Sequence, residues 1–156
     1  MSLKIPKRKL DVEICDDRGR IHRGGIFLTN SESHERSHQR VQELLRERRF
    51  LHVQEGDVVW FIKKTSICWV KIALLAAVEE LDREVEVSDE AVVTKVILEF
   101  VDGSSVRGSL RFLQPESERR VGDYIEQSRG FIPVRTEESL YLVNLERVVR
   151  LLLEEY

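Results

Sequence analysis

The chain has 156 residues, 42% hydrophobic and 34% charged, which places it among folded globular proteins and outside the compositions that stay disordered. Its formal net charge of -3 comes from 28 acids against 25 bases, so no whole-chain field draws in nucleic acid or an anionic membrane. The two cysteines, Cys15 and Cys68, sit in strand-like runs without framework spacing, which argues against a disulfide scaffold and for a reducing compartment.

The first ten residues are basic with no apolar segment behind them, and the longest apolar stretch, Ile72 to Val78, is far short of a membrane span, so a cytoplasmic location is expected. Leu10 to Ile14 reads as a strand with Val12 and Ile14 on one side, and Asp16-Asp17-Arg18-Gly19 supplies the turn into a second strand, Ile21 to Leu28. Gly24-Gly25 inside that strand marks a bulge or a close backbone approach. Asn30 to Ser37 has no apolar residue and reads as a loop or a solvated helix start. From Ser37 to Arg49, Val41, Leu44 and Leu45 recur at helical spacing as a narrow apolar stripe. Phe50 to Val53, Val58 to Ile62 and Ile67 to Ile72 then form a meander of strands. Ala73 to Glu84 carries Leu74, Leu75, Val78 and Leu81 at helical spacing; periodicity alone leaves open a connecting helix or an extension of the preceding strand. Glu86 to Glu90 is an acidic linker.

The same order of signals then returns, the mark of a tandem duplication. Arg23-Gly24 lies against Arg107-Gly108, Val41, Leu44 and Leu45 against Val121, Tyr124 and Ile125, and Phe50-Leu51-His52-Val53 against Phe131-Ile132-Pro133-Val134. The hairpin Val59-Trp60-Phe61-Ile62 matches Leu140-Tyr141-Leu142-Val143, and an Asn144-Leu145-Glu146 corner leads into Arg147 to Leu153. The expected fold is α+β and mainly β: two homologous halves of small antiparallel barrel-like sheets, each with one short helix, related by a pseudo-twofold. Residues 1–72 form the first repeat, 73–93 the connecting helix and linker, and 94–156 the second repeat. Copies of roughly 60 residues are at the limit of independent stability, so a shared core is expected.

Reactive chemistry is sparse. His34-Glu35-Arg36-Ser37-His38 has the spelling of a zinc hydrolase helix, two histidines four apart with a glutamate between. Its surroundings are wet rather than apolar, the second repeat has no histidine there, and no third ligand is identifiable. His34 and His38 are therefore candidates for adventitious metal binding, and no cofactor is expected. His22 and His52 have no nucleophile placed beside them, and Gly24-Gly25 leads into a strand rather than a helix N-terminus, unlike a phosphate cradle. Arg36 and Arg40 have the spacing of the arginine pair in PilZ-type cyclic-dinucleotide receptors, without the Asp-x-Ser segment that completes that pattern. Trp60 and Trp69 could stack on bases or fill a core. Arg23 and Arg107, at matching positions, could flank one shared anionic site.

Val106-Arg107-Gly108-Ser109-Leu110, Phe131-Ile132-Pro133-Val134 and Tyr141-Leu142-Val143-Asn144 before Val148-Val149 resemble a small uncharacterised bacterial domain family, here present twice. His52 and Lys63 replace its proline and asparagine in the first repeat. The Asp-Gly turn, the Arg-Gly strand and the closing corner also resemble Sm-like and SH3-like barrels, although here the helix lies inside the barrel order. The first resemblance implies the domain and no activity. The expectation is a non-enzymatic cytoplasmic module binding a protein partner, with homo-oligomers through sheet edges as a further possibility and no membrane. An Sm-like binder of RNA or an anionic ligand is the alternative, and a zinc-dependent hydrolase the third reading.

Overall fold

The structure is a computed structural model and describes residues 7–29, 37–73, 91–113 and 121–154. Alternating burial makes the first hairpin: in β1 (Lys7–Asp16) Leu10, Val12 and Ile14 turn inward, and β2 (Ile21–Thr29) returns with Ile26 and Leu28 on the same side. Helix α1 (Ser37–Glu47) lays Val41 and Leu45 of its apolar stripe onto this core. A second hairpin follows, β3 (Phe50–Glu55) and β4 (Val58–Lys63), and a 3-10 turn at Lys64–Ser66 reverses the chain into β5 (Ile67–Ala73). The next elements are β6 (Ala91–Phe100), β7 (Ser105–Leu113), α2 (Val121–Gln127), β8 (Phe131–Arg135) and β9 (Ser139–Asn144). A 3-10 turn at Leu145–Arg147 then leads into β10 (Val148–Leu153). β6 begins at Ala91, inside the linker expected over 73–93; residues 74–90 of that linker, and the helix-or-strand question they carry, lie outside the described residues.

The strands form one ten-stranded antiparallel sheet in the order β10-β6-β7-β8-β9-β5-β1-β2-β3-β4. Registers within β6–β10 follow those within β1–β5. Glu13 pairs with Arg23 as Ile97 pairs with Arg107, and Phe50 with Lys63 as Phe131 with Asn144. The bulge between Cys15 and Asp16 opposite β5 has its counterpart between β6 and β10. Gly24 and Gly108 mark where β2 and β7 are crossed by the next hairpin. A Cβ on Gly24 would lie 2.3 Å from the Gln54 carbonyl oxygen, and one on Gly108 would lie 2.5 Å from that of Arg135. Only glycine allows backbones so close, as the Gly24-Gly25 pattern suggested.

One expectation, of separate barrel-like sheets, is corrected by this ladder. A separate barrel-like sheet in β1–β5 would close by pairing β5 with β4; β5 instead pairs with β9, so the sheet is open and continuous. The observed joint sets the fourth strand of one set against the fifth of the other, Trp69 to Ala73 against Val143 to Ser139.

The joint also connects the cores. Leu140 and Leu142 of β9 enter the core built by β1–β5 and α1, whereas Cys15, Cys68 and Trp69 enter the core built by β6–β10. Asn144 fastens the seam: its buried Nδ2 donates to the Ile67 carbonyl at 3.0 Å, and its Oδ1 accepts from the Glu146 amide at 3.1 Å. Trp69 meets Tyr141 edge-on at 5.2 Å across the same seam.

Candidate interaction surface

β4 and β9 occupy the same place in their sets, each ending a hairpin and entering a 3-10 turn, and their environments are opposite. In β9 every residue but Tyr141 is buried, because β5 lies along its outer side. β4 is the last strand of the sheet, and among the described residues no strand pairs with it on that side; only Ile62 is buried, while Val59 is 51% and Phe61 62% exposed. Val58 and Trp60 are exposed as well, so apolar side chains reach solvent on both faces of the strand, Trp60 beside His22 and Phe61 edge-on to His52 at 4.4 Å, and its outer amides and carbonyls have no strand partner among the described residues. Completing the burial of each half-exposed side chain gains about 1 kcal/mol. Beside this strand, Phe27, Leu44, Leu51 and Val59 line a recess of about 450 Å³ together with Arg40, Arg48 and His52.

The opposite end of the sheet is β10. Its counterpart β5 is buried along nearly its whole length, again because of the joint, whereas Val149 is 59% and Leu152 60% exposed. Val148, Leu151 and Leu153 keep their inward contacts with the adjoining core.

Arg23 and Arg107 do sit at equivalent register positions, but four strands separate β2 from β7 in the sheet. They line different recesses. Arg23 Nε donates to Glu13 Oε1 at 2.9 Å, and Arg107 is paired with Glu154. One shared anionic site is therefore not assembled from this pair. Arg107 instead shares an open recess of about 680 Å³ with Lys95, Arg111, Arg135, Glu137 and Glu154. The corresponding strand positions in the first set hold Asp11, Phe27 and Gln54 in place of Lys95, Arg111 and Arg135. Trp60 and Trp69 do not form one platform either. Trp60 lies tilted against His22 at 5.4 Å, and Trp69 is buried against Tyr141.

The polar groups inside the fold are turn-forming. Asp16 Oδ1 accepts from the amides of Arg18 and Arg20 at 2.9 and 3.0 Å, and Oδ2 meets Arg20 Nε at 3.0 Å and His22 Nε2 at 3.4 Å. Burial pushes this carboxyl upward, but the two amides, His22 and the Arg20 guanidinium outweigh it and hold its pKa below the ordinary value. Cys15 and Cys68 lie buried within 3.6 and 4.0 Å of the Asp102 carboxylate. Burial first, and the Asp102 charge second, push both thiols up to about 12. These cysteines are thiols packed where two cores meet, in line with their reading as small hydrophobes.

His34 and Glu35 lie outside the described residues, as does the side chain of His38, whose backbone opens α1. Among the described residues no group of three or more His, Cys, Asp or Glu side chains is placed to hold a metal ion, and no helix is long and apolar enough to cross a membrane. Comparison of the chain with protein-family models, curated proteins and solved structures finds no match.

Proposed function

We propose that this chain is a non-enzymatic cytoplasmic interaction module, a tandem duplication in which the outer strand β4 takes up an extended strand from a protein partner. The observation that carries this reading is the contrast between β4, apolar and uncovered, and its counterpart β9, covered by β5. Strand addition to such an edge supplies main-chain hydrogen bonds, and the alternating side chains of β4 supply selectivity. Matching strand order and register in β1–β5 and β6–β10 support the duplication. The strand, 3-10 turn and strand at Val58–Ala73 and Ser139–Leu153 support the likeness to Sm-like and SH3-like barrels.

A photo-crosslinking amino acid at Val59, with Val93 as an equally exposed control, tests the module in cells. Adducts with a defined polypeptide at position 59, and none at 93, are expected. Equal yields at the two positions would refute the reading, as would a substrate turned over by the purified chain and lost on a point change. A second reading, an RNA or anionic-ligand binder, is favoured by the recess containing Lys95, Arg107, Arg111 and Arg135. It predicts RNA binding that weakens steeply with salt and falls in the Arg107→Ala, Arg135→Ala double variant.

A further inference from the structure

We infer that the strand β4 receives is β10 of a second copy of this chain, so that copies join head to tail; this rests on the interaction-module reading and names its partner. The chain already contains that joint once, between β9 and β5. β4 is the positional counterpart of β9, and β10 of β5, so the two outer edges of the sheet, unpaired among the described residues, are the same pair of edges that meet inside it.

Side-chain exposure follows the same logic. At the internal joint Leu140 and Leu142 of β9 enter the core across the seam, and their counterparts in β4 are Val59 and Phe61, both more than half exposed. From the other side Cys68 of β5 enters the core across the seam, and its counterpart in β10 is Val149, also more than half exposed. Val59, Phe61 and Val149, left in water at the outer edges, are thus residues whose counterparts Leu140, Leu142 and Cys68 are buried, while Trp60 and Leu152 answer to the half-buried Tyr141 and Lys71. Carrying the internal register outward sets Leu153 against Val59, Leu152 against Trp60, Leu151 against Phe61 and Arg150 against Ile62. Arg150 then falls beside Trp60, the counterpart of the Trp69 and Tyr141 contact, where a guanidinium over an indole face is favourable. Because the joint uses two different edges, a pair of joined copies still offers one free β4 and one free β10, and assembly continues past two until it closes or extends as a filament.

Two variants test this, each at a side chain exposed in the single chain: Phe61→Lys on β4 and Val149→Lys on β10, checked for folding by circular dichroism and urea midpoint. Native mass spectrometry and light scattering at about 100 µM, where a joint with a Kd of 1–10 µM is largely filled, should show the parent in species larger than dimers. Each variant alone should be monomeric, and an equal mixture should give one-to-one dimers and nothing larger, because only one competent β4 and one competent β10 remain. Dimers from Val149→Lys alone would overturn the inference in favour of a β4 to β4 joint. A parent that stays monomeric would overturn it as well, and the crosslink at position 59 then separates the two readings: adducts with a different polypeptide keep the module, and none removes both.

Discussion

The close crossing of β2 by β3, and of β7 by β8, makes Gly24→Ala and Gly108→Ala the most diagnostic substitutions in the fold. The added methyl would stand 2.3 Å from the Gln54 oxygen and 2.9 Å from Val53 Cγ1 in the first case, and 2.5 Å from the Arg135 oxygen and 2.8 Å from Val134 Cγ1 in the second. Ordinary contact begins at 3.4 Å, so backbone must retreat, and with it Val53 or Val134, both fully buried. Overpacking of this kind costs about 1–3 kcal/mol, and strain on the single bridge, Gly25 to Gln54 or Ser109 to Arg135, adds roughly 1 kcal/mol. A loss of about 2–4 kcal/mol should lower the urea midpoint with the slope unchanged, and lower Tm by roughly 5–15 °C. Two controls sharpen the comparison. The atoms nearest a Cβ on Gly25 all belong to the flexible Lys9 side chain, so Gly25→Ala should cost below about 1 kcal/mol; Gly122, in α2 with nothing within 4 Å, should gain about 0.5–1 kcal/mol as alanine. If Gly24→Ala and Gly108→Ala fall within about 0.5 kcal/mol of the parent, the crossing geometry is refuted.

Asp16→Asn removes the charged acceptor for Arg20 and His22 and should destabilise by about 1–2 kcal/mol at neutral pH in urea titrations. Because the folded pKa of Asp16 is depressed, its contribution is full above the unfolded value of about 3.9 and is lost as pH falls through the folded value; the gap between parent and variant should narrow below about pH 4, and a gap that widens in acid contradicts the assignment. With Cys15 and Cys68 pushed up to about 12, on the order of one thiol in ten thousand is ionised at pH 8, against about a quarter for an ordinary thiol, so disulfide reagents should modify the folded chain at least a hundredfold more slowly than the unfolded one. Comparable rates in the two states would show the thiols to be accessible.

Local structure was well encoded. The stripe Val41, Leu44, Leu45, the turns ending in Gly19 and Gly103, and the strand patterns predict elements that the structure contains, because each depends on neighbours within a few positions. Strand ends ran further than expected where pairing continued past the polar Thr94 and Lys95, as in Ala91 to Lys95 opposite Leu113 to Ser109. The joint was not legible, since VVWFIK and SLYLVN read alike as apolar strands while one is exposed and the other buried. That difference is made by β5, a strand far away in sequence for β9 and absent for β4. The candidate surface was legible only in part for the same reason: sequence equivalence could align Arg23 with Arg107, but their separation in the sheet depends on the strand order.

An edge as apolar as β4 invites indiscriminate pairing unless something restrains it. Lys63 ends the strand and Lys64 opens the following turn, and such flanking cations oppose stacking of unrelated apolar strands. Lys63 also stands at the position of Asn144, whose amide fastens the internal seam to Ile67. A β4 to β10 joint therefore forgoes that side-chain hydrogen bond, worth about 1 kcal/mol, and has no covalent tether to raise the effective concentration of its strands. On the head-to-tail proposal the internal joint is permanent and the outer one reversible, built from the same strand positions. Under that proposal the asymmetry would let one chain act as a finished unit and as a building block, with protein concentration setting which state prevails.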